Sequence, residues 1–172
     1  DSGEHCIRCH GPVAWRNNHQ TPADGSALTG DDWEGVHCDI CHAFVDPLST
    51  EGQNLVDPDV TSYGMGMFVR STGPEERGPR TDPTPFSHPA QYDAFQESSD
   101  KCGICHDVSN PYNCPSGEEY NAQQCFPLGR TYSEWKYSWF ADQGADYSCQ
   151  GCHYPQATGK ASNDSGRSEE RR

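Results

Sequence analysis

The sequence has few of the residues from which a globular domain builds its core. Only 32% of its 172 residues are hydrophobic, two are methionine, and the mean hydropathy is −0.94. Its apolar runs are all too short to cross a membrane. A chain of this composition buries too little apolar side-chain surface to offset its conformational entropy. We therefore expect something other than side chains to supply much of the core.

Basic residues are also scarce. The chain contains 12 Lys and Arg against 26 Asp and Glu, and its formal net charge is −14 at pH 7. A surface of this sign repels the phosphates of nucleic acids and of anionic lipids. We therefore expect no nucleic-acid partner and no membrane insertion. The acidic groups either form a solvated surface or attract a basic partner protein.

Cysteine is the residue that the chain has in excess. Eight of its ten cysteines form four copies of Cys-x-x-Cys-His, the attachment sequence of a c-type haem. Two thiols one helical turn apart reach the two vinyl groups of one porphyrin, and the histidine that follows coordinates the iron. We therefore predict four covalently bound haem c groups. The predicted thioether cysteines are Cys6, Cys9, Cys38, Cys41, Cys102, Cys105, Cys149 and Cys152, and the predicted proximal iron ligands are His10, His42, His106 and His153.

Structural zinc sites and redox dithiols also use pairs of cysteines, and they are the alternatives to haem. Neither of them requires a histidine directly after each second cysteine. The chain has 8 histidines, so four such coincidences have a chance of about five in a million, given the cysteine pairs. The repeated histidine therefore favours haem.

Each haem iron has one further axial position, and the number of remaining histidines equals the number of haems. We predict that these histidines are the distal iron ligands: His5, His19, His37 and His88. Met65 and Met67 are competing candidates, because methionine also binds haem iron, but we favour core packing for both. A haem with two histidine ligands has no open position for a substrate. The matched count therefore predicts an electron carrier and not an enzyme.

Cys114 and Cys125 lie outside the haem motifs, in a segment rich in turn residues. Haem attachment of this kind takes place outside the cytoplasm, where disulfides persist. We predict a Cys114–Cys125 disulfide, worth about 2.5–3 kcal/mol through loop entropy, with two free thiols as the alternative. For the same reason we expect an exported protein, extracellular or at the cell surface, with Asp1 as its processed N-terminus.

The chain is expected to form one tetrahaem domain over residues 1–155, mostly irregular coil with a few short α-helices and little β-strand. Residues 46–100 are rich in Pro, Gly and Asp and should form an ordered coil over haem faces. Residues 156–172 have the composition of a disordered tail, which a neighbouring subunit could hold. Residues 163–165 match a glycosylation sequon, a pattern of low specificity.

One helix is predicted before the third haem motif. Ser87 is a candidate N-cap for a helix over about residues 89–98. Tyr92 and Phe95 would then lie on one face of that helix.

A second helix is predicted before the fourth motif. The pattern Thr131-x-x-Glu134 is a capping box that opens a helix over about residues 132–141. Trp135 and Trp139 would share a face there, and we interpret them as packing against a porphyrin.

Over residues 1–155 the chain resembles the tetrahaem extracellular cytochromes that polymerise into filaments, the OmcE-like nanowire group. The resemblance implies that all four haems are bis-histidine, that one axial histidine comes from the adjacent subunit, and that the haems form a continuous row along a filament. It rests on the order and spacing of the four motifs and on segments 34–42 (EGVHCDICH), 87–89 (SHP), 101–107 (KCGICHD) and 130–135 (RTYSEW).

Three functions follow as candidates. The first is a head-to-tail filament of copies of this chain that conducts electrons between a donor and an acceptor that the sequence does not identify. The second is a soluble, monomeric tetrahaem shuttle in the periplasm, and the third is a small-molecule reductase, which would need an open haem.

In a filament, the first motif at Cys6 and the last at His153 would lie at opposite edges of the subunit, so that identical units meet head to tail. His5 is then the first candidate for the ligand that crosses between subunits, and His19 is the second. His37 and His88 should bind iron within their own chain.

Overall fold

The structure is a computed structural model and describes residues 3–55, 61–81, 88–110, 112–115, 124–154, 158–159 and 170–171. Regular elements in this part of the chain are short. The α-helices are α1 (Gly3–His10), α2 (Pro12–Arg16), α3 (Cys38–His42), α4 (Thr50–Gln53), α5 (Ser99–His106), α6 (Thr131–Lys136) and α7 (Cys149–His153). Single turns of 3-10 helix span Gly30–Glu34, Ala94–Glu97, Trp139–Asp142 and Ala145–Tyr147.

The strands pair two by two, and no larger sheet forms among the described residues. They are β1 (Glu76–Gly78), β2 (Ala90–Tyr92), β3 (Val108–Asn110), β4 (Phe126–Gly129), β5 (Thr158–Gly159) and β6 (Glu170–Arg171). β1 and β2 run parallel, whereas β3 pairs with β4 and β5 with β6 in antiparallel fashion. The sparse regular structure and the small amount of strand agree with the sequence-based expectation. The wrapping of this coil around haems stays a prediction.

A small apolar cluster joins the second and third haem motifs. Phe44, Phe95 and Ile104 are buried together, and Ile40 packs against them. Ile40 lies inside the second motif and Ile104 inside the third, directly before the second cysteine of each. The variable positions of these two motifs therefore help to build the core.

Helix α5 is the element against which the C-terminal half of the chain packs. The ring of Tyr132, from α6, lies directly on Gly103, where a Cβ atom would come within 2.8 Å of the ring carbons. The Tyr132 hydroxyl donates a hydrogen bond to Asp100 of the same helix. Directly after the last residue of α5, the buried carboxylate of Asp107 accepts a 2.6 Å hydrogen bond from the Ser133 hydroxyl. These contacts fix α6 across α5.

Helix α7 is anchored to the start of α5. The backbone N–H of Cys149 donates to the Ser99 hydroxyl over 3.0 Å, and the Gln150 amide donates to the Ser98 carbonyl over 2.8 Å. Ser98 and Ser148 cap α5 and α7, because each hydroxyl accepts a backbone N–H from the first turn of its helix. The third and fourth motifs are thus held together by polar contacts to backbone groups.

The predicted helix over residues 89–98 is wrong. Residues 90–92 form β2, and a separate 3-10 turn follows, capped by Asp93, whose carboxylate accepts the N–H of Phe95 over 2.9 Å. The Pro89 carbonyl accepts the N–H of Glu76, so the segment pairs with β1 instead of coiling. Tyr92 is exposed and Phe95 is buried, so they share no face. The candidate cap Ser87 lies outside the described residues.

The predicted helix over residues 132–141 is half right. Helix α6 begins at Thr131 but ends at Lys136, and its N-cap is Arg130, without a side-chain cap. Ser138 starts a new 3-10 turn by accepting the N–H of Phe140 over 3.2 Å. Trp135 and Trp139 therefore belong to different elements.

The segment predicted as ordered coil over residues 46–100 contains α4, β1, β2 and the 3-10 turn at Ala94–Glu97. Ser49 is the N-cap of α4, and its hydroxyl accepts the N–H of Gly52, the glycine within this helix. Of the predicted tail, the described part is the β5–β6 pair, and the sequon at 163–165 lies outside the described residues.

Cys114 and Cys125 are joined, with their sulfur atoms 1.97 Å apart. This is the pairing predicted from the sequence. The bridge lies where β4 returns to pair with β3, so it closes the connection between the third motif and α6.

Replacing Gly103 with Ala should destabilise the protein, because the new methyl group collides with the Tyr132 ring. Overpacking of this kind costs about 1–3 kcal/mol. Thermal unfolding, compared at equal haem content, measures the loss. The matched control is Gly129→Ala, where an added Cβ meets nothing within 4 Å. Equal losses in the two variants would contradict the role assigned to the Gly103–Tyr132 contact.

Candidate haem-binding site

All four Cys-x-x-Cys-His sequences lie on helices, and each helix ends at the motif's histidine. The helices are α1, α3, α5 and α7. Two cysteines three residues apart on a helix project from the same face, one turn from each other. This local geometry is the one that attachment to the two vinyl groups of a porphyrin requires, and it was predicted from the spacing alone.

The third motif lies at the centre of the other three. The thiol of Cys105 lies close to that of Cys9 in the first motif, and the thiol of Cys102 lies close to that of Cys149 in the fourth. Cys41 of the second motif lies close enough to act electrostatically on both Cys102 and Cys105. The fold therefore brings cysteines from all four motifs together around α5.

The acidity of these thiols does not suit a redox dithiol on α5. Burial raises the pKa of Cys102 to about 11. The hydrogen bond with Cys9, together with burial, raises the pKa of Cys105, and the same bond lowers the pKa of Cys9. Dithiol oxidoreductases need an accessible cysteine with a lowered pKa in the reactive pair. Both cysteines of the third motif have the opposite property.

Two of the predicted iron ligands have their imidazole rings fixed by backbone carbonyls. His42 Nδ1 lies 2.6 Å from the Arg77 carbonyl oxygen, and His88 Nδ1 lies 3.0 Å from the Pro89 carbonyl oxygen. A carbonyl can only accept, so Nδ1 carries the proton in both rings and Nε2 keeps its lone pair. This tautomer and this kind of anchor are typical of metal-binding histidines.

A third predicted ligand is fixed by a carboxylate. His19 Nδ1 lies 2.6 Å from Asp32 Oδ2. Asp32 is 3% exposed, and the N–H of Thr29 donates to the same oxygen over 2.8 Å. The Thr29 bond is the largest of the causes that lower the pKa of Asp32, with the bonds from His19 and Asn17 adding to it. An ionised carboxylate thus orients the ring and leaves its Nε2 available.

His5 has an unsatisfied nitrogen. Its Nε2 is buried and has no hydrogen-bond partner among the described residues. Burial, and next to it the charge of Arg8, lower the pKa of His5, which favours the neutral ring. A buried, neutral imidazole nitrogen without a partner fits a metal ligand.

The remaining predicted ligands lie at helix ends. His37 occupies the N-cap position of α3 and is half-buried. His10, His106 and His153 are exposed at the C-terminal ends of their helices.

Both methionine sulfurs have protein partners. Met65 is buried, and its Sδ accepts the N–H of Ser109 over 3.1 Å. Met67 Sδ accepts from the Arg8 guanidinium over 3.2 Å. These contacts favour packing over iron binding for both residues.

Large aromatic side chains are exposed around the fourth motif. Trp139, Phe140 and Tyr147 contact one another with ring centroids 5.4–6.1 Å apart, yet Trp139 is 62% exposed. Tyr154, directly after the motif, is also exposed. Such a surface gives the apolar contact that a porphyrin needs, and burial against it would be favourable.

The residues that anchor the histidines were not found from the sequence. Arg77 lies 35 residues from His42 and offers only its carbonyl, for which no local pattern exists. Asp32 had a local signal, because Thr29-x-x-Asp32 forms a capping box at the 3-10 turn that it opens. Taken together, the helical motifs, the buried Nε2 of His5 and the Nδ1 anchors fit four covalently attached haems.

Comparisons of the chain with family models, with curated proteins and with solved structures gave no match. Among the described residues, no three His, Cys, Asp or Glu side chains are grouped as they would be around a bare metal ion. None of the described helices combines the length and apolar character needed to cross a lipid bilayer.

Met65→Leu and Met67→Leu should leave every haem low-spin, because both sulfurs are used in packing. Met65→Leu should lower stability by about 1–2 kcal/mol, the cost of a near-isosteric core change plus one lost hydrogen bond. EPR and absorption spectra of the ferric protein measure the spin state, with His88→Ala as the positive control. A new high-spin haem in either Leu variant would assign that methionine to iron.

Proposed function

We propose that the protein transfers electrons through four bis-histidine haem c groups and that it has no catalytic activity of its own. The observation that carries the proposal is the set of four Cys-x-x-Cys-His helices, each ending at its histidine. The Nδ1 anchors of His19, His42 and His88 support it, because each leaves Nε2 free to bind iron. The haems supply the redox chemistry when they are bound.

On this proposal, the residues of the chain attach the haems, coordinate their irons and keep the attachment points close together. Two histidines per iron leave no position for a substrate, which favours a conductor over a reductase. Cys105 lies close to Cys9, and Cys102 lies close to Cys149, so the attachment points of the third motif are near those of the first and fourth. Neighbouring attachment points would keep electron-transfer distances short, which favours passage through the third site.

His5 and His37 each directly precede the first cysteine of a motif. A side chain at that position would lie on the proximal side of the haem that its own motif attaches. Each of the two would therefore bind the iron of a different haem, and such cross-ligation would connect neighbouring haems.

We further propose that copies of the chain assemble head to tail into an extracellular filament, in keeping with the resemblance to polymerising tetrahaem cytochromes. A soluble periplasmic shuttle is the alternative. Of the two candidates for the ligand that crosses between subunits, His5 has its Nε2 buried within its own chain, whereas the His19 side chain is 38% exposed and is already oriented by Asp32. Its accessible side chain thus favours His19 as the ligand that crosses between subunits. Its place beside the first motif, at one edge of the subunit, favours His5.

Intact mass of the denatured protein should exceed that of the polypeptide by four haems. Its ferric EPR spectrum near neutral pH should contain low-spin signals only. A smaller mass increment would contradict the proposal that all four motifs attach a haem. A high-spin signal would show that at least one iron lacks its second ligand.

A comparison of His5→Ala with His19→Ala should show which histidine binds an iron of the adjacent subunit and which binds one within its own chain. Both variants should keep four attached haems, and each should convert one haem to high-spin. Only the variant that lacks the bridging histidine should also lose filaments in negative-stain micrographs. If both variants form normal filaments, neither histidine crosses the junction. If the unmodified protein gives single particles only, the shuttle replaces the filament.

A further inference from the structure

Arg77 is a buried cation held by two carboxylates from different parts of the chain. The residue is 6% exposed. Its Nη2 lies 2.6 Å from Glu51 Oε1 in α4, and its Nη1 lies 2.9 Å from Asp93 Oδ2, the cap of the 3-10 turn at Ala94–Glu97. Ser71 adds a weaker contact of 3.4 Å. A guanidinium bonded to two separate elements restrains both of them and the strand that carries it.

The backbone of the same residue holds a predicted iron ligand. The Arg77 carbonyl accepts the Nδ1–H of His42 over 2.6 Å. This carbonyl belongs to β1, and the side chain of Arg77 joins β1 to α4 and adds a second link between β1 and Asp93. The ion pairs of the Arg77 side chain therefore restrain the backbone carbonyl that anchors the His42 imidazole.

The second strand of the sheet holds another predicted ligand. The Pro89 carbonyl accepts the N–H of Glu76, over 3.0 Å, and also the Nδ1–H of His88, over 3.0 Å. The N–H of Asp93 donates to the Gly78 carbonyl over 2.9 Å, which closes the other end of the β1–β2 pair. One imidazole is thus bonded to a carbonyl of β1 and the other to the carbonyl directly before β2, and the Arg77 side chain links this small parallel sheet to Asp93, directly after β2, and to Glu51 in α4.

We propose that Arg77 is a positioning residue that sets the imidazole geometry of His42 and, through β1–β2, of His88. The inference rests on the proposed function, because it takes both histidines as haem ligands. Two three-residue strands have little stability of their own. The fork between Glu51 and Asp93 supplies the restraint that such a short sheet lacks.

This restraint should affect the reduction potential of the haems that His42 and His88 bind. A carbonyl that accepts Nδ1–H makes the imidazole a stronger donor, which stabilises ferric iron and lowers the reduction potential of the site. If β1 loosens, the Nδ1–H bond lengthens and the potential should rise. The shift should be confined to the sites that His42 and His88 occupy.

The test is Arg77→Lys, which keeps the charge and removes the fork. A lysine ammonium reaches one carboxylate at a time, so the link between α4 and Asp93 is lost without a change in net charge. We expect four attached haems, a move to higher potential for one or two of them in a spectroelectrochemical titration, and altered g values for the same one or two low-spin signals in EPR. The matched control is Arg70→Lys, the same exchange at an exposed arginine nearby, and it should reproduce the unmodified protein.

Glu51→Asp is the second variant, in case Arg77→Lys does not fold. Glu51 is half exposed, so shortening it by one methylene breaks the 2.6 Å contact at little risk to the core. It should move the same haems in the same direction by a smaller amount. Potentials equal to those of the Arg70→Lys control in both variants would overturn the inference, and so would an equal shift of all four haems. Fewer than four haems in the unmodified protein would instead overturn the proposed function.

Discussion

The packing of helix α5 determines where the third motif lies and which segments surround it. Ile104 is fully buried, Gly103 lies under the ring of Tyr132, and Asp107 is bonded to Ser133. Two residues inside a haem motif are therefore committed to the protein core, and His106 is left exposed at the helix end. Because cysteines of the other three motifs lie close to those of α5, this helix fixes where the motifs lie relative to one another.

A second constraint concerns how the histidines are oriented. His42 and His88 donate to neutral carbonyls, whereas His19 donates to a buried, ionised carboxylate. A carboxylate withdraws the Nδ1 proton further than a carbonyl does, so it gives the ring more imidazolate character and favours ferric iron more strongly. On the proposed function, four chemically similar bis-histidine sites would therefore differ in potential through their anchors, and a potential gradient along the chain would need no change of ligand type.

Features that depend on local spacing could be predicted from the sequence, and features that depend on distant pairing could not. The helical haem motifs follow from three-residue spacing, and the disulfide follows from Cys114 and Cys125 being the two cysteines left over. The failed helix at residues 89–98 has good local signals, but its Pro89 carbonyl pairs with a strand 13 residues earlier, at Glu76. Tertiary pairing overrode propensity there, and the same distant strand carries the anchor of His42.

The length of the motif helices bears on how the sites form. Helices α3 and α7 have five residues each, far too few to be stable in isolation. Ile40 in α3 packs on the core cluster, and Gly151 in α7 lies so close to the Ala145 carbonyl that a Cβ would come within 2.4 Å of it. Tertiary contacts, and not helix propensity, therefore hold the paired cysteines one turn apart. On the proposed function, the haems would add apolar contacts to so small a core, so attachment and folding should stabilise each other.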